Sequence, residues 1–215
     1  MSRTLFIIGT GGFAKEVAQL ASEINSAGPP RWTSIQYIGQ RPEDVGSPMP
    51  FGELTGTDAL LKELRHEADV AIGIGTPAVR RRIAAELALL PLLRAPNLIH
   101  PQAGVDVRHV QLGIGNVITR GTVFTCDIRV GDFNVFNLNA TVGHDCNIGS
   151  FNVVNPGCNI SGGVTMGDAC LLGTGCQVLE GLSMVSDVTA GGGALVGKNI
   201  TVAGVYVGVP ARLMQ

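Results

Sequence analysis

Charge is scarce in this 215-residue chain: 15% of residues are Asp, Glu, Lys or Arg, and the formal net charge is −2. The basic residues are scattered. Their longest run, Arg80-Arg81-Arg82, lies in a helix-like stretch. This excludes the one-sided basic footprint of a nucleic-acid binder. No apolar run reaches about 18 residues and no signal-peptide pattern opens the chain, so a soluble cytoplasmic protein without a membrane partner is expected. Histidine is rare, with four in all, and there is no Cys-x-x-Cys pair. A metal site is therefore not expected. Five cysteines are an awkward number for a disulfide framework.

Glycine, by contrast, is abundant at 30 residues, which suits a fold made largely of tight turns. From Leu112 to Val202, every sixth residue is apolar, sixteen times in succession. A period of six fits neither a helical stripe nor one alternating strand; it is the signature of a parallel β-helix. Three hexapeptides per coil would stack residues 18 apart, as Asn116, Asn134 and Asn152 are, or Asn137 and Asn155. These pairs read as internal asparagine ladders. Cys146, Cys158, Cys170 and Cys176 share one repeat position and read as small buried fillers.

Residues 1 to 95 read differently, as a small βαβαβα sheet domain. A buried strand, LeuPheIleIle, runs into GlyThrGlyGly and then a helical face through residue 27. Gly9, Gly11 and Ala14 fit the G-x-G-x-x-G/A spacing, in which glycines let backbone approach a phosphate at a helix N-terminus. The acid expected about 20 residues later is missing. A nucleotide or phosphate contact, a dinucleotide site and a bare structural turn all remain open from these residues. Residues 40 to 56, rich in Pro, Gly and charge, read as a loop. Thr57 and Thr76 read as N-caps of helices reaching about Arg65 and Leu90. The domain boundary is placed at 98/99.

GlyHisAspCysAsnIleGly (143 to 149), GlyGlyGlyAla (191 to 194) and ValGlyValProAla (207 to 211), behind the GlyThrGlyGly turn, resemble the hexapeptide-repeat sugar acyltransferases. The resemblance is to the group of bacillosamine and perosamine N-acetyltransferases and sialic acid O-acetyltransferases. It implies a half-Rossmann-like domain over 1–98 that binds a nucleotide sugar, then a left-handed parallel β-helix over 99–215. It further implies a homotrimer, acetyl-CoA as co-substrate and no metal. The family's base matches His144, and the acid that supports it matches Asp145. Backbone contacts to acetyl-CoA map onto Gly162, Thr174 and Gly192, and Asn152 falls beside the acetyl group. Nucleotide contacts map onto Gly11, Gly12, Phe13 and Gly75. Two departures stand out. Val153 occupies the place of a second histidine found in some members. Gly39 and Gln40 stand where some members carry an Asp-Asp pair, which puts a uridine nucleotide in doubt.

Histidine suits acyl transfer because its unperturbed pKa of about 6.5 lets it accept a proton at neutral pH. An amine or hydroxyl attacking a thioester must lose a proton, while thiolate leaves with little help. One base and one backbone N–H for the oxyanion would suffice. Asp145, as the next residue, would point away from His144 in a regular strand, so its support requires turn geometry. The bland alternative is a corner histidine satisfied by hydrogen bonds. His66 and His109 read as exposed and His100 as structural. The expected activity is N-acetylation of a nucleotide-linked 4-amino-4,6-dideoxy sugar for surface glycan. Sialic-acid-type O-acetylation is the alternative.

Overall fold

In a computed structural model of the chain, residues 3–214 are described. The N-terminal elements are β1 (Thr4–Ile8), α1 (Gly12–Ser26), β2 (Ser34–Gly39), β3 (Pro48–Met49), β4 (Gly52–Thr57), α2 (Asp58–Lys62), β5 (Ala68–Ile72), α3 (Pro77–Leu87) and β6 (Leu93–Arg94). They form a sheet in the order β3-β4-β2-β1-β5-β6, parallel except for the β3–β4 hairpin. Strands buried on both sides explain the apolar runs Leu5–Ile8 in β1 and Val70–Ile72 in β5. Phe6, Ile8 and Ile72 face Leu61, Ile83 and Leu87 on one side. Leu5 and Ile7 face Val17 and Leu20 of α1 on the other.

The stretch expected to be a loop holds β3 and β4. Its composition is poor for a strand, and the reason lies in close packing: a Cβ on Gly52 would collide with the Ile35 carbonyl. Glycine therefore marks close backbone approach here rather than disorder. The helix after Thr57 stops at Lys62, and that after Thr76 at Leu87. Both threonines occupy the N-cap position, but neither side chain makes a capping hydrogen bond.

β7 (Leu98–Ile99) opens the β-helix by pairing with Val117 and Ile118. Leu98 thus sits in the second unit, one residue earlier than the sequence suggested. Thereafter short strands fall on three faces in rotation. Face I contains Val117–Ile118, Val135–Phe136, Val153–Val154 and Leu171–Leu172; face II contains Val123–Phe124, Thr141–Val142, Asn159–Ile160, Gln177–Val178 and Leu195–Val196. Face III contains Val110–Leu112, Ile128–Val130, Asn147–Ile148, Thr165–Met166 and Ser183–Met184. Partners on each face are 18 residues apart, for example Val142 with Ile160.

The apolar register fills the interior from Leu112 to Val196. Val202 does not follow it: it is 58% exposed. The coil tightens after Val196, so that Ile200 bridges Met184 and Tyr206 pairs with Ala190, at a spacing of 16. The chain turns at edges where one residue in six takes positive φ. These residues run from Gly115 through Asp127, Asn139, Asp145 and Ala169 to Gly193, and seven of the fourteen are not glycine. That conformation is uncommon for side-chain-bearing residues, Asn and Asp being the most tolerant.

The cysteines behave as fillers. Cys146, Cys158, Cys170 and Cys176 are at most 1% exposed. Burial pushes the Cys170 thiol up to about 11 and the Cys176 thiol up to about 12. The Asn116–Asn134–Asn152 column is a ladder, though each amide oxygen chiefly accepts the next backbone N–H, as in Asn152 N to Asn134 Oδ1 at 2.8 Å. Asn137 and Asn155 do not bond to each other. Asn137 accepts from the Leu138 N–H, and Asn155 donates to the Leu172 carbonyl.

The two units share a core. Val117, Val135 and Val153 on face I pack with the α1 cluster. Arg80, fully buried, donates from Nε to the Phe133 carbonyl on the β-helix and from Nη1 to the Ile72 and Ile74 carbonyls. His100 is also buried here: the Gln102 N–H donates to Nδ1, leaving Nε2 to donate to Glu23 at 3.0 Å.

Candidate active site

The carboxyl ends of β1, β2 and β5 open into a cleft of about 740 Å³. This is where sheet order reverses direction, β2 lying on one side of β1 and β5 on the other. Ligands of open α/β sheets bind at such a switch point. Gly11, Gly12, Phe13, Gly39, Gln40 and Gly75 all line this one cleft, although three separate segments of the chain carry them. Its floor is apolar, with Ile38, Leu54, Leu61 and Ile83. Gln40 is exposed and makes no hydrogen bond among the described residues.

His144 and Asp145 stand at the edge between faces II and III. Asp145 is the positive-φ residue of its turn (φ 58°). That conformation swings its carboxylate back beside the preceding side chain, and Oδ2 lies 2.8 Å from His144 Nδ1. The turn geometry that the pair requires is thus supplied by the edge itself. With Nδ1 held, Nε2 is the nitrogen left for proton transfer. The two side chains are 66% and 68% exposed, so the imidazole is open to an incoming group.

Gly162 follows His144 by one coil. A Cβ there would lie 2.6 Å from both Cε1 and Nε2 of the imidazole. The ring therefore occupies the space that the missing side chain leaves. Thr174 and Gly192 are likewise one coil apart, but on the edge between faces I and II. The backbone N–H groups of Gly162, Thr174 and Gly192 have no hydrogen-bond partner among the described residues. At the third edge the equivalent N–H groups are satisfied: Ile114 by Asp132, Ser150 by Asp168, and Asp168 by Ser186. Open donors of this kind are what a ligand carbonyl or an oxyanion needs.

Asn152 is a correction. It is 0% exposed, enclosed in its ladder, and cannot reach a cofactor outside the β-helix. Val153 is 3% exposed beneath α1, where a histidine would have to give up water for an apolar core. Two features escaped the sequence reading. Cys126, the one exposed cysteine, stands one coil before His144. Gln111, Arg129 and Asn147 stack on face III. The 18-residue spacing would have found both. Among the described residues, no cluster of His, Cys, Asp or Glu could hold a metal, and no helix is long and apolar enough to cross a membrane.

Residues 4–87 match the family model described as the PglD N-terminal domain. The acetyltransferase domain of PglB from Neisseria gonorrhoeae, solved with acetyl coenzyme A, is 31% identical, with all of both chains covered and a TM-score of 0.89. PerB from Caulobacter crescentus, in complex with CoA and GDP-perosamine, is 26% identical over 99% of this chain and 97% of its own, also at 0.89. WeeI from Acinetobacter baumannii has the same fold, with a TM-score of 0.85 at 21% identity over 99% of this chain and 100% of its own. No curated protein sequence matches. With its α/β domain and left-handed parallel β-helix in this order, the chain belongs to the hexapeptide-repeat sugar acetyltransferase family.

Proposed function

We propose that this protein transfers the acetyl group of acetyl-CoA to the amine of a nucleotide-linked 4-amino-4,6-dideoxy sugar, in the cytoplasm, for surface glycan. His144 serves as general base and Asp145 orients it. The observation that carries this reading is the 2.8 Å contact between Asp145 and His144 Nδ1, which leaves Nε2 available beside Gly162. The amine nitrogen attacks the thioester carbonyl. His144 Nε2 takes the proton that the nitrogen loses, and the Gly162 N–H is placed to donate to the oxyanion. The C–S bond then breaks, CoA leaves as thiolate and receives the proton, and an amide remains. The enzymes similar to this chain include one solved with acetyl coenzyme A and one with CoA and GDP-perosamine, which supports both substrates.

The nucleotide belongs in the α/β cleft, in the unit that ends before Leu98, and acetyl transfer in the β-helix that follows. Within one chain these are far apart in topology. The α/β unit covers face I and reaches the III/I edge through Arg80–Phe133 and Arg81–Asp187. His144 is on the one edge that face I does not border. Gly162 and the Thr174–Gly192 pair likewise flank opposite sides of face II. A trimer, in which the His144 edge of one subunit meets the Thr174 edge of the next, unites them. Release of free CoA with GDP- and UDP-linked 4-amino sugars is the test: turnover is expected with one of them, and none with any would overturn the reading. For sialic-acid-type O-acetylation, the product would be an ester lost in mild alkali, whereas an amide survives.

A further inference from the structure

Outward-facing polar side chains stack one coil apart on both faces that meet at His144, and the two stacks differ. On face II, Thr141 donates to Asn159 Oδ1 at 2.7 Å, and Asn159 donates to Gln177 Oε1 at 3.0 Å. All three are half-buried, and their polar atoms are largely spent on one another. On face III, Gln111, Arg129 and Asn147 are in register on adjacent strands. All three are exposed, and none of their side chains has a hydrogen-bond or ion-pair partner among the described residues. They line a groove of about 320 Å³ whose wall includes Asp145. The other arginine there, Arg108, is already paired with Asp106.

We infer that this groove is the subsite that holds the acceptor's sugar ring while its amine faces His144. The inference rests on the acetyltransferase reading above. Rungs of a parallel sheet lie about 4.8 Å apart, so three open polar side chains in a column present donors and acceptors over the span of a sugar ring and its remaining polar substituents. Arg129 supplies only donors, in a rigid fork, while the flanking amides supply both kinds. Such a column suits neutral ring oxygens and hydroxyls. A wholly apolar groove would bind a ring face without fixing its orientation, whereas a mispositioned amine costs rate steeply.

The test is steady-state kinetics on the full-length enzyme, with acetyl-CoA and whichever nucleotide-linked 4-amino sugar wild type acetylates. Arg129→Ala is expected to raise the acceptor KM by about 10-fold or more, the effect of losing a charge-assisted hydrogen bond. Asn147→Ala should raise it by about 3- to 10-fold, the neutral equivalent. The acetyl-CoA KM should stay within about two-fold in both, and Arg129→Lys should recover part of the loss. Thermal melts that match wild type keep the comparison free of folding effects, and Asn147→Ser serves if the alanine variant melts early. If wild type turns over and neither variant moves the acceptor KM, the subsite is wrong while the enzyme reading stands. If both variants raise the acetyl-CoA KM instead, the groove belongs to the donor and the inference is overturned. If wild type acetylates no amino sugar, both fall together.

Discussion

Asp145 and His144 are consecutive, yet their side chains meet, Oδ2 to Nδ1 at 2.8 Å. A strand would send them to opposite sides; the left-handed φ of Asp145 brings them to the same side. The carboxylate therefore fixes which imidazole nitrogen is free. Asp145→Asn should lower kcat by about 10-fold, less than loss of the base itself. The carboxamide introduced by that change can still accept from Nδ1–H, so Asp145→Ala should cost more than Asp145→Asn. Equal rates for all three proteins would refute the orienting role.

Gly162 makes room for the ring. Gly162→Ala places a methyl 2.6 Å from Cε1 and Nε2 of His144, so the imidazole has to move. A displacement of this size is expected to cut kcat by about 10²-fold. The fold should survive, because the glycine lies on an exposed edge and its φ is not positive. Unchanged kcat in a variant with a normal melting temperature would show that the ring has another productive position.

The separation of cleft and base within one chain has a direct consequence. Gly12→Arg should fill the cleft, because a Cβ at Gly12 meets nothing within 4 Å. His144→Ala removes the base. Each variant should be inactive alone, and co-assembled subunits should regain activity, since one intact cleft can serve a neighbour's intact His144. Sedimentation equilibrium should give a trimer. A monomer, or a mixed assembly with no activity, would sink the shared site.

The β-helix interior sets the protein's response to alkali. The Cys170 and Cys176 thiols ionise at about 11 and about 12 in the folded chain, against 9.0 for a free thiol. Above pH 9.0 the unfolded state releases these protons first, so their contribution to stability is whole below pH 9.0 and is lost as pH rises toward 12. Urea midpoints should fall over that window. At neutral pH a thiol reagent should modify one cysteine of the native protein, Cys126, and five after unfolding. Fast native reaction of a second thiol would contradict the packing.

The β-helix was legible because each buried residue from Leu112 to Val196 repeats one geometric event, and His144 stood out because that geometry does not need it. The cleft was half-legible: the glycine turn carries its own signature, but joining it to Gly39, Gln40 and Gly75 takes the sheet order. What stayed hidden depends on contacts between units. Arg80 sits in a basic run on a helix-like stretch, where nothing marks it as buried, yet its guanidinium satisfies carbonyls from both units. The two-residue slip after Val196 was masked because Val202 is apolar while Ile200 and Tyr206 take the interior places. Asn152 was misplaced because the resemblance set it beside the acetyl group, although its 18-residue spacing already put it in an internal ladder. Its burial decides for the ladder.

The decisive measurement is CoA thiol release by wild type and His144→Ala, side by side, with acetyl-CoA and the nucleotide-linked 4-amino sugar that wild type accepts. Loss of the general base should reduce kcat by at least about 10²-fold while substrate KM values change little. A His144→Ala enzyme within a few-fold of wild type would show that the proton leaves by another route.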